Sequence, residues 1–231
     1  MINLEVIATT LEDVRKACDC GADRIELTVG LSEGALTPSL GLLEKVKSIA
    51  TVPVFVMIRP RDGVCTYSDY ELDAMAADAA VVRNIGLEGI VCGMLTVSRA
   101  VDVKSLQRIL DACTPLPLVF HRAFDQVADP VKALKLLMGI GRRIPRLLTS
   151  GLKETAVEGI PMIQQLVGIA GEYISIMPGA GIQVEEIEKI ITETGVKDIH
   201  LGIGVRTPPT PSGRLDGKKV EDAKRVIERL H

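Results

Sequence analysis

The chemistry-bearing residues of this chain sit where apolar runs end or are interrupted. Pro117-Leu118-Val119-Phe120 is an apolar stretch of strand length, followed directly by His121, Arg122 and Asp125. An imidazole, a guanidinium and a carboxylate so close together suit a strand that delivers charge to a solvent-accessible mouth. Glu5 and Glu26 each break an apolar run, in Leu4-Glu5-Val6 and Ile25-Glu26-Leu27. A carboxylate inside a core is costly unless it is paired or hydrogen-bonded. Two readings of this pair follow. One is a buried ion network with Arg59, Arg122 and His121 that braces the fold; the other is acid/base or substrate-orienting work in the mouth. His121 is either a satisfied core histidine or a general acid/base. His200 lies between Ile199 and Leu201, on the opposite strand face from both. The sequence leaves open which of those faces is inward.

A second group of residues suits an anion. Arg59 and Arg61 flank Pro60 and could clamp a carboxylate or phosphate, although Arg61 also fits an exposed basic loop. Pro178-Gly179-Ala180-Gly181 has glycines, Gly179 and Gly181, that let backbone N–H groups approach an oxyanion before a helix start, or that merely fit a short loop. Ser150, in Thr149-Ser150-Gly151, could add a hydroxyl, and Gly202 a further backbone approach. Asp125 would orient an arginine or histidine. The five cysteines (18, 20, 65, 92 and 113) show no CxxC spacing. Cys18 and Cys20 are two apart in a helical pattern and do not face each other. The spacing therefore points to no metal site, and no cofactor is identified.

These residues need elements to position them. Strand-like runs alternate with helical ones at a period of roughly 25–30 residues, as in βα units. Predicted strands are Asn3–Ile7, Arg24–Thr28, Val54–Ile58, Gly89–Cys92, the run at 117–120, Arg146–Thr149, Tyr173–Met177 and Asp198–Leu201. Predicted helices start at Ser39 and at the caps Thr10, Asp102 and Asp129, the last ending near Gly139, and cover Asp69–Ile85, roughly Leu152–Ala170 with Gly159-Ile160-Pro161 as a signal for a later start, Val184–Thr194 and a C-terminal segment. Eight strand–helix repeats are the plan of a (β/α)8 TIM-like barrel of the α/β class, a single domain over 1–231. Its core strands fall within 3–202, with a Pro/Gly loop and helix at 206–231. A doubly wound sheet shares the rhythm, but its Gly-rich first turn is missing after Ile7. In a barrel, function collects at the C-terminal ends of the strands. Glu5, Glu26, Arg59, His121, Arg122, Ser150, Gly179 and Gly202 all fall there.

Composition removes other classes. The chain has 231 residues, 47% hydrophobic and 25% charged, with a net charge of −3, so it carries no basic surface for nucleic acid or an anionic membrane. Aromatics are 3% with no Trp, a poor supply for stacking bases. The amino terminus lacks the basic region of a signal peptide, and no run reaches the length of a membrane span. An odd number of thiols without a framework reads as a reduced, cytoplasmic protein.

Six stretches together resemble a known family. They are Ala22-Asp23-Arg24-Ile25-Glu26-Leu27, Leu31-Ser32-Glu33-Gly34, Leu36-Thr37-Pro38-Ser39, Val54-Phe55-Val56-Met57-Ile58-Arg59-Pro60-Arg61, Phe120-His121-Arg122-Ala123-Phe124-Asp125 and Leu148-Thr149-Ser150-Gly151. In this order they look like the CutC copper homeostasis family. The resemblance implies a cytoplasmic TIM-like barrel, a homodimer or higher homo-oligomer, with copper(I) implied by the family name. Family members commonly have cysteines where this chain has Ile7 and Thr28. Copper(I) prefers soft thiolate or thioether ligands; Cys92 and Met177 are sulfurs near strand ends. Two functions are therefore carried forward. One is copper homeostasis. The other is a lyase, isomerase or hydrolase acting on a small phosphorylated or carboxylated molecule. In that enzyme Glu5, Glu26 and His121 would move protons. Arg59 and Arg122 would hold negative charge, and Ser150, Gly179, Gly181 and Gly202 would bind phosphate.

Overall fold

The computed structural model describes residues 2–230. Eight strands run in parallel: β1 (Asn3–Ala8), β2 (Arg24–Leu27), β3 (Val54–Met57), β4 (Gly89–Cys92), β5 (Leu118–Phe120), β6 (Arg146–Thr149), β7 (Ser175–Pro178) and β8 (Asp198–Leu201). Each is followed by a helix: α1 (Leu11–Asp19), α2 (Leu40–Ile49), α3 (Asp69–Ile85), α4 (Val103–Cys113), α5 (Pro130–Ile140), α6 (Ile160–Ala170), α7 (Ile187–Thr194) and α8 (Gly217–Glu228). The strands pair in the order β7-β6-β5-β4-β3-β2-β1-β8. The terminal strands β7 and β8 lie against each other, so the sheet curls into a nearly closed (β/α)8 barrel. A short antiparallel ribbon, β9 (Arg206–Thr207) with β10 (Arg214–Leu215), precedes α8.

Helix boundaries follow local chemistry. Thr10, Ser39, Ser68, Asp102 and Asp129 each accept a backbone N–H from the first turn of a helix. Each such cap satisfies a donor that the helix leaves open. Gly86 closes α3 in the left-handed conformation, which a residue without a Cβ adopts readily. Three expectations are corrected. β7 starts at Ser175 rather than Tyr173, whose side chain is exposed. α5 ends on Gly141 rather than Gly139. α6 begins only at Ile160, with Pro161 in its first turn. Residues 152–159 are therefore free to form a loop over the mouth instead of the first two turns of a helix.

Strand alternation divides the molecule into two cores. Leu4, Val6, Ile25, Leu27, Val56, Ile90, Phe120, Leu147, Ile199 and Leu201 face outward and pack under the helices in one large cluster. The inward positions form a second, small cluster of Phe55, Met57, Val91, Val119, Leu148 and Met177. These come from β3 to β7. Gly89 makes room for the Phe55 ring, since a Cβ there would lie 2.2 Å from Phe55 Cε1. The rest of the interior is charged. Glu5, Arg24, Glu26, Asp198 and His200 come from β1, β2 and β8, and all are buried.

Arg24 ties this half together. Its Nε donates to Glu5 Oε2 and its Nη2 to Asp198 Oδ1 at 2.8 Å. Asp198 Oδ2 in turn accepts from Ser175 Oγ at 2.5 Å, which links β8 to β7 across the one gap in the ladder. Truncating one partner of a buried ion group strands the others, at a cost of about 3–5 kcal/mol. Arg24→Met should destabilise the chain by that amount and lower its thermal midpoint by roughly 10 °C. Urea unfolding of the variant beside the parent measures it, and a loss near zero would show that Arg24 does not hold the seam.

Candidate active site at the barrel mouth

A cavity of about 1070 Å³ opens at the C-terminal ends of the strands. Its floor carries Glu26 and His200, and its walls carry Arg59, His121, Arg122, Asp125, Gly181 and Gly202. The apolar side is built by Ile7, Met57 and Leu148. All eight of these polar-wall and floor positions were expected as site residues. The loop at 152–159 adds Lys153, Glu154, Thr155 and Glu158 to the rim, and these the sequence reading missed. The Gly159-Ile160-Pro161 signal for a late helix start was the clue to that loop.

The floor is an ordered chain of charges. Register places Glu5 of β1 beside His200 of β8 and Ile7 beside Glu26 of β2. His200 Nδ1 and Glu5 Oε1 are 2.8 Å apart. Glu5 is fully buried, and burial alone would raise its pKa. Arg24 and the His200 hydrogen bond reverse that effect and hold the carboxyl at about 2. His200 is raised above its ordinary value, because the carboxylates of Glu26 and Glu5 outweigh the burial that opposes its charge. Glu26 differs from Glu5. Burial, and then the nearby charge of Glu5, raise it to about 7, against the pull of His200 and Arg24. Its Oε2 is buried without a hydrogen-bond partner. Glu5 lies beneath the cavity rather than in its wall, so it orients His200 instead of meeting a ligand.

His121 is buried at the end of β5, where it caps a short helical turn, Arg122–Gln126. Its Nδ1 accepts the Ala123 N–H at 3.1 Å. Burial and the charge of Arg59 lower its pKa to about 4, so the ring is neutral in ordinary buffers. Asp125 faces the cavity, but its carboxylate is saturated. It accepts from Arg122 Nε at 2.8 Å, Thr149 Oγ1 at 2.5 Å, Ser150 Oγ at 2.9 Å and Ser150 N at 3.0 Å. Its role is to position Arg122 and the β6 loop.

Several expected anion ligands are committed elsewhere. Ser150 is buried behind the wall, with its hydroxyl donating to Lys153 O or Asp125. Gly179 donates its N–H to Thr149 O at 3.0 Å, extending the sheet. Arg61 binds Glu71 and the carbonyls of Asp62, Val64 and Thr66, so it clamps its own loop. Arg59 lines the cavity while donating to the carbonyls of Gly34 and Gly63. By contrast, the N–H groups of Gly181 and Gly202 make no hydrogen bond within the described chain. Missed by the sequence reading were Arg24, Arg146 and Asp198. Arg24 could have been found as the period-2 mate of Glu26.

The sulfurs are poorly placed for a metal. Thr28 is buried and its hydroxyl donates to Leu36 O, so of the two positions where the resemblance implied cysteine only Ile7 faces the cavity. Cys92 is fully buried in the outer cluster, away from the mouth. Met177 points inward, but its Sδ accepts from Arg24. Cys65 is the one cavity-lining thiol, and burial raises its pKa. Among the described residues, Glu5, Glu26 and His200 are the one group of three with converging ligand atoms, all within 4.8 Å. Both oxygens of Glu5 are already taken by Arg24 and His200, and the Arg24 cation would repel an ion there. The cluster is an ion-pair chain, not a ligand cage.

Comparisons with known proteins agree along the chain. The model of the CutC family matches residues 2–205. A human copper homeostasis protein cutC homolog is 43% identical over 197 residues, covering 85% of this chain and 71% of its own length. A CutC family protein of Salmonella enteritidis is 41% identical over 217 residues, covering 94% and 86%. A crystal structure of CutC from Streptococcus agalactiae superposes with a TM-score of 0.82 at 34% identity, over 87% of this chain and 98% of that one. Phosphoribosyl anthranilate isomerase of Thermotoga maritima matches with a TM-score of 0.65 at 12% identity over the full length of both, which speaks for the barrel alone. On sequence and structure together, this chain belongs to the CutC family.

Proposed function

We propose that the mouth is an active site that moves protons on a small anionic molecule. One observation carries the reading. Glu26 is buried, its Oε2 has no partner, and it lines the floor of the cavity. An unsatisfied buried carboxyl is expensive. A carboxyl raised to about 7 holds and releases a proton near neutral pH, which suits general acid/base work. Arg122 and Lys153 supply positive charge at the rim, and the open amides of Gly181 and Gly202 suit an oxyanion such as a phosphate or carboxylate. His200 and Glu5 set the charge of Glu26 from below.

The names of the relatives concern copper, and the donor set here does not suit copper(I). That ion needs soft ligands. The mouth offers one thiol, Cys65, held in its neutral form, with Met57 as the one thioether of the cavity wall. No copper-dependent step is therefore assigned to these residues.

Three outcomes test this account. In competition with a copper(I) chelator, the purified reduced protein should show no stoichiometric uptake at sub-micromolar affinity, and Cys92→Ser should change nothing. Tight, Cys92-dependent binding would reverse the assignment. In a thermal-shift screen, phosphorylated and carboxylated metabolites should raise the midpoint where their uncharged counterparts do not, and Arg122→Ala should remove the difference. Stability should also respond to pH through Glu26. A carboxyl raised in the folded state binds its proton more tightly there than in the unfolded chain. It therefore costs stability as pH climbs from about 4.5 through about 7. Glu26→Gln removes that cost, so the variant should gain on the parent across this window and hold a constant lead above it. A difference that is flat with pH would show that Glu26 is not raised.

A further inference from the structure

His121 and Glu26 face one cavity from β5 and β2, strands three apart around the barrel. The ring of His121 has a fixed tautomer. Its Nδ1 accepts the Ala123 N–H, so the single ring proton of the neutral form sits on Nε2. Such a ring has no free lone pair with which to act as a base, so of the acid and base roles expected of His121 this tautomer favours the donor. It is a donor. Its placement is enforced by Gly93 on β4's C-terminal side, where a Cβ would lie 2.6 Å from Nδ1. Glu26 is the complement, a carboxyl with an oxygen that no group of the chain engages.

The geometry points to an enolising site: Glu26 removes a proton from the carbon next to a substrate carbonyl, while His121 Nε2–H donates to the carbonyl oxygen. The substrates are then small molecules with a carbonyl beside a C–H, and this rests on the proton-transfer reading of the mouth given above. The step balances without any co-reactant. The C–H electron pair becomes a carbon–carbon double bond, the carbonyl π pair moves onto oxygen, and the proton goes to Glu26. Returning the same proton, or one exchanged with solvent, restores the carbonyl compound; where the deprotonated carbon also bears a hydroxyl, the intermediate is an ene-diol, and delivering the proton to the former carbonyl carbon while that hydroxyl gives up its own proton and becomes the new carbonyl completes an isomerisation.

A neutral donor suits this task. An imidazolium would pair with the Glu26 carboxylate or with a phosphate and would hand its proton away, whereas a neutral N–H polarises a carbonyl without becoming a charged competitor. Three charged groups act on His121. Beside burial, Arg59 in the loop after β3 disfavours its cation most, Asp125 pulls the other way, and Arg122 on the turn after β5 adds a smaller opposing charge. On Glu26 it is burial, with the charge of Glu5, that favours the neutral carboxyl, against the pull of His200 and Arg24 from the floor. The two residues thus belong to separate electrostatic neighbourhoods of one cavity.

The test is solvent exchange. The full chain in deuterated buffer is incubated with small hydroxy-aldehydes, hydroxy-ketones, keto acids and their phosphate esters, and proton NMR follows the C–H beside each carbonyl. At least one compound should lose that signal in a protein-dependent way. Glu26→Gln should abolish the exchange, and His121→Phe should slow it by about 100-fold or more. His121→Gln, which restores a neutral N–H donor, should recover part of the rate. A second readout needs no substrate: ring-nitrogen chemical shifts should show His121 as the neutral Nε2–H form at pH 5.5, a pH above its lowered pKa of about 4. A ring that is cationic there, or protonated on Nδ1, overturns the proposal. Compounds that bind and stabilise the chain without exchanging also overturn it, while leaving the anion-binding mouth intact. If none of them binds, both readings fall together.

Discussion

Arg24 is the cation on which the interior of this barrel depends. Three strands bring charge to the axis, and Arg24 is the group that joins them. It holds Glu5 of β1 through Nε and Asp198 of β8 through Nη2. Without a cation at this point, two buried carboxylates would share the interior with one oxygen of each left unmatched by the guanidinium. Buried ion pairs contribute little net stability once desolvation is counted, yet removing one partner is costly. The network therefore acts more as a constraint than as a source of stability. It fixes which groups are charged and which are spent.

The consequence reaches the cavity. Because Glu5 is held as an anion by Arg24, it can fix the ring of His200 through Nδ1. Burial first, and then the anionic Glu5 beside it, make Glu26 resist a negative charge and keep its proton to about neutral pH. A similar division exists on the far side of the mouth. Asp125 is consumed by Arg122, Thr149 and the β6 loop, which leaves His121 neutral under the influence of burial and Arg59. In both places one acid is saturated as scaffolding, and its neighbour is left open to the cavity. The apolar sector of Met57, Leu148 and Ile7 forms the remaining wall.

Much of this was legible in the residues. Apolar runs broken by single charges gave the strands, since alternation with period 2 puts such a charge on the face opposite its apolar neighbours. The cap residues Thr10, Ser39, Asp102 and Asp129 gave helix starts because their side chains satisfy open backbone donors. Glu26, Arg59, His121, Arg122, Gly181 and Gly202 could be placed in the mouth because barrel strands converge at one end, whereas the inward face of His200 was settled only by the register of β8 on β1. The loop at 152–159 was obscured by apolar and helix-favouring residues ahead of Pro161. Ser150, Gly179 and Arg61 carry the right groups for an anion. Their partners lie on the turn after β5, on the neighbouring strand and in α3's first turn, where local pattern gives no warning.

The sequence by itself determined the class of fold, the strand ends that bear chemistry and the family resemblance, because these depend on local periodicity and short motifs. Only the tertiary structure decided which of those side chains remain free. Glu5 and His200 are 195 residues apart in the chain and 2.8 Å apart in space. A hydrogen-bonding group is available to a ligand only if no neighbour has taken it, and in a barrel the neighbours come from strands at opposite ends of the sequence. The unpartnered carboxyl of Glu26 and the single proton of His121 are properties of that closure.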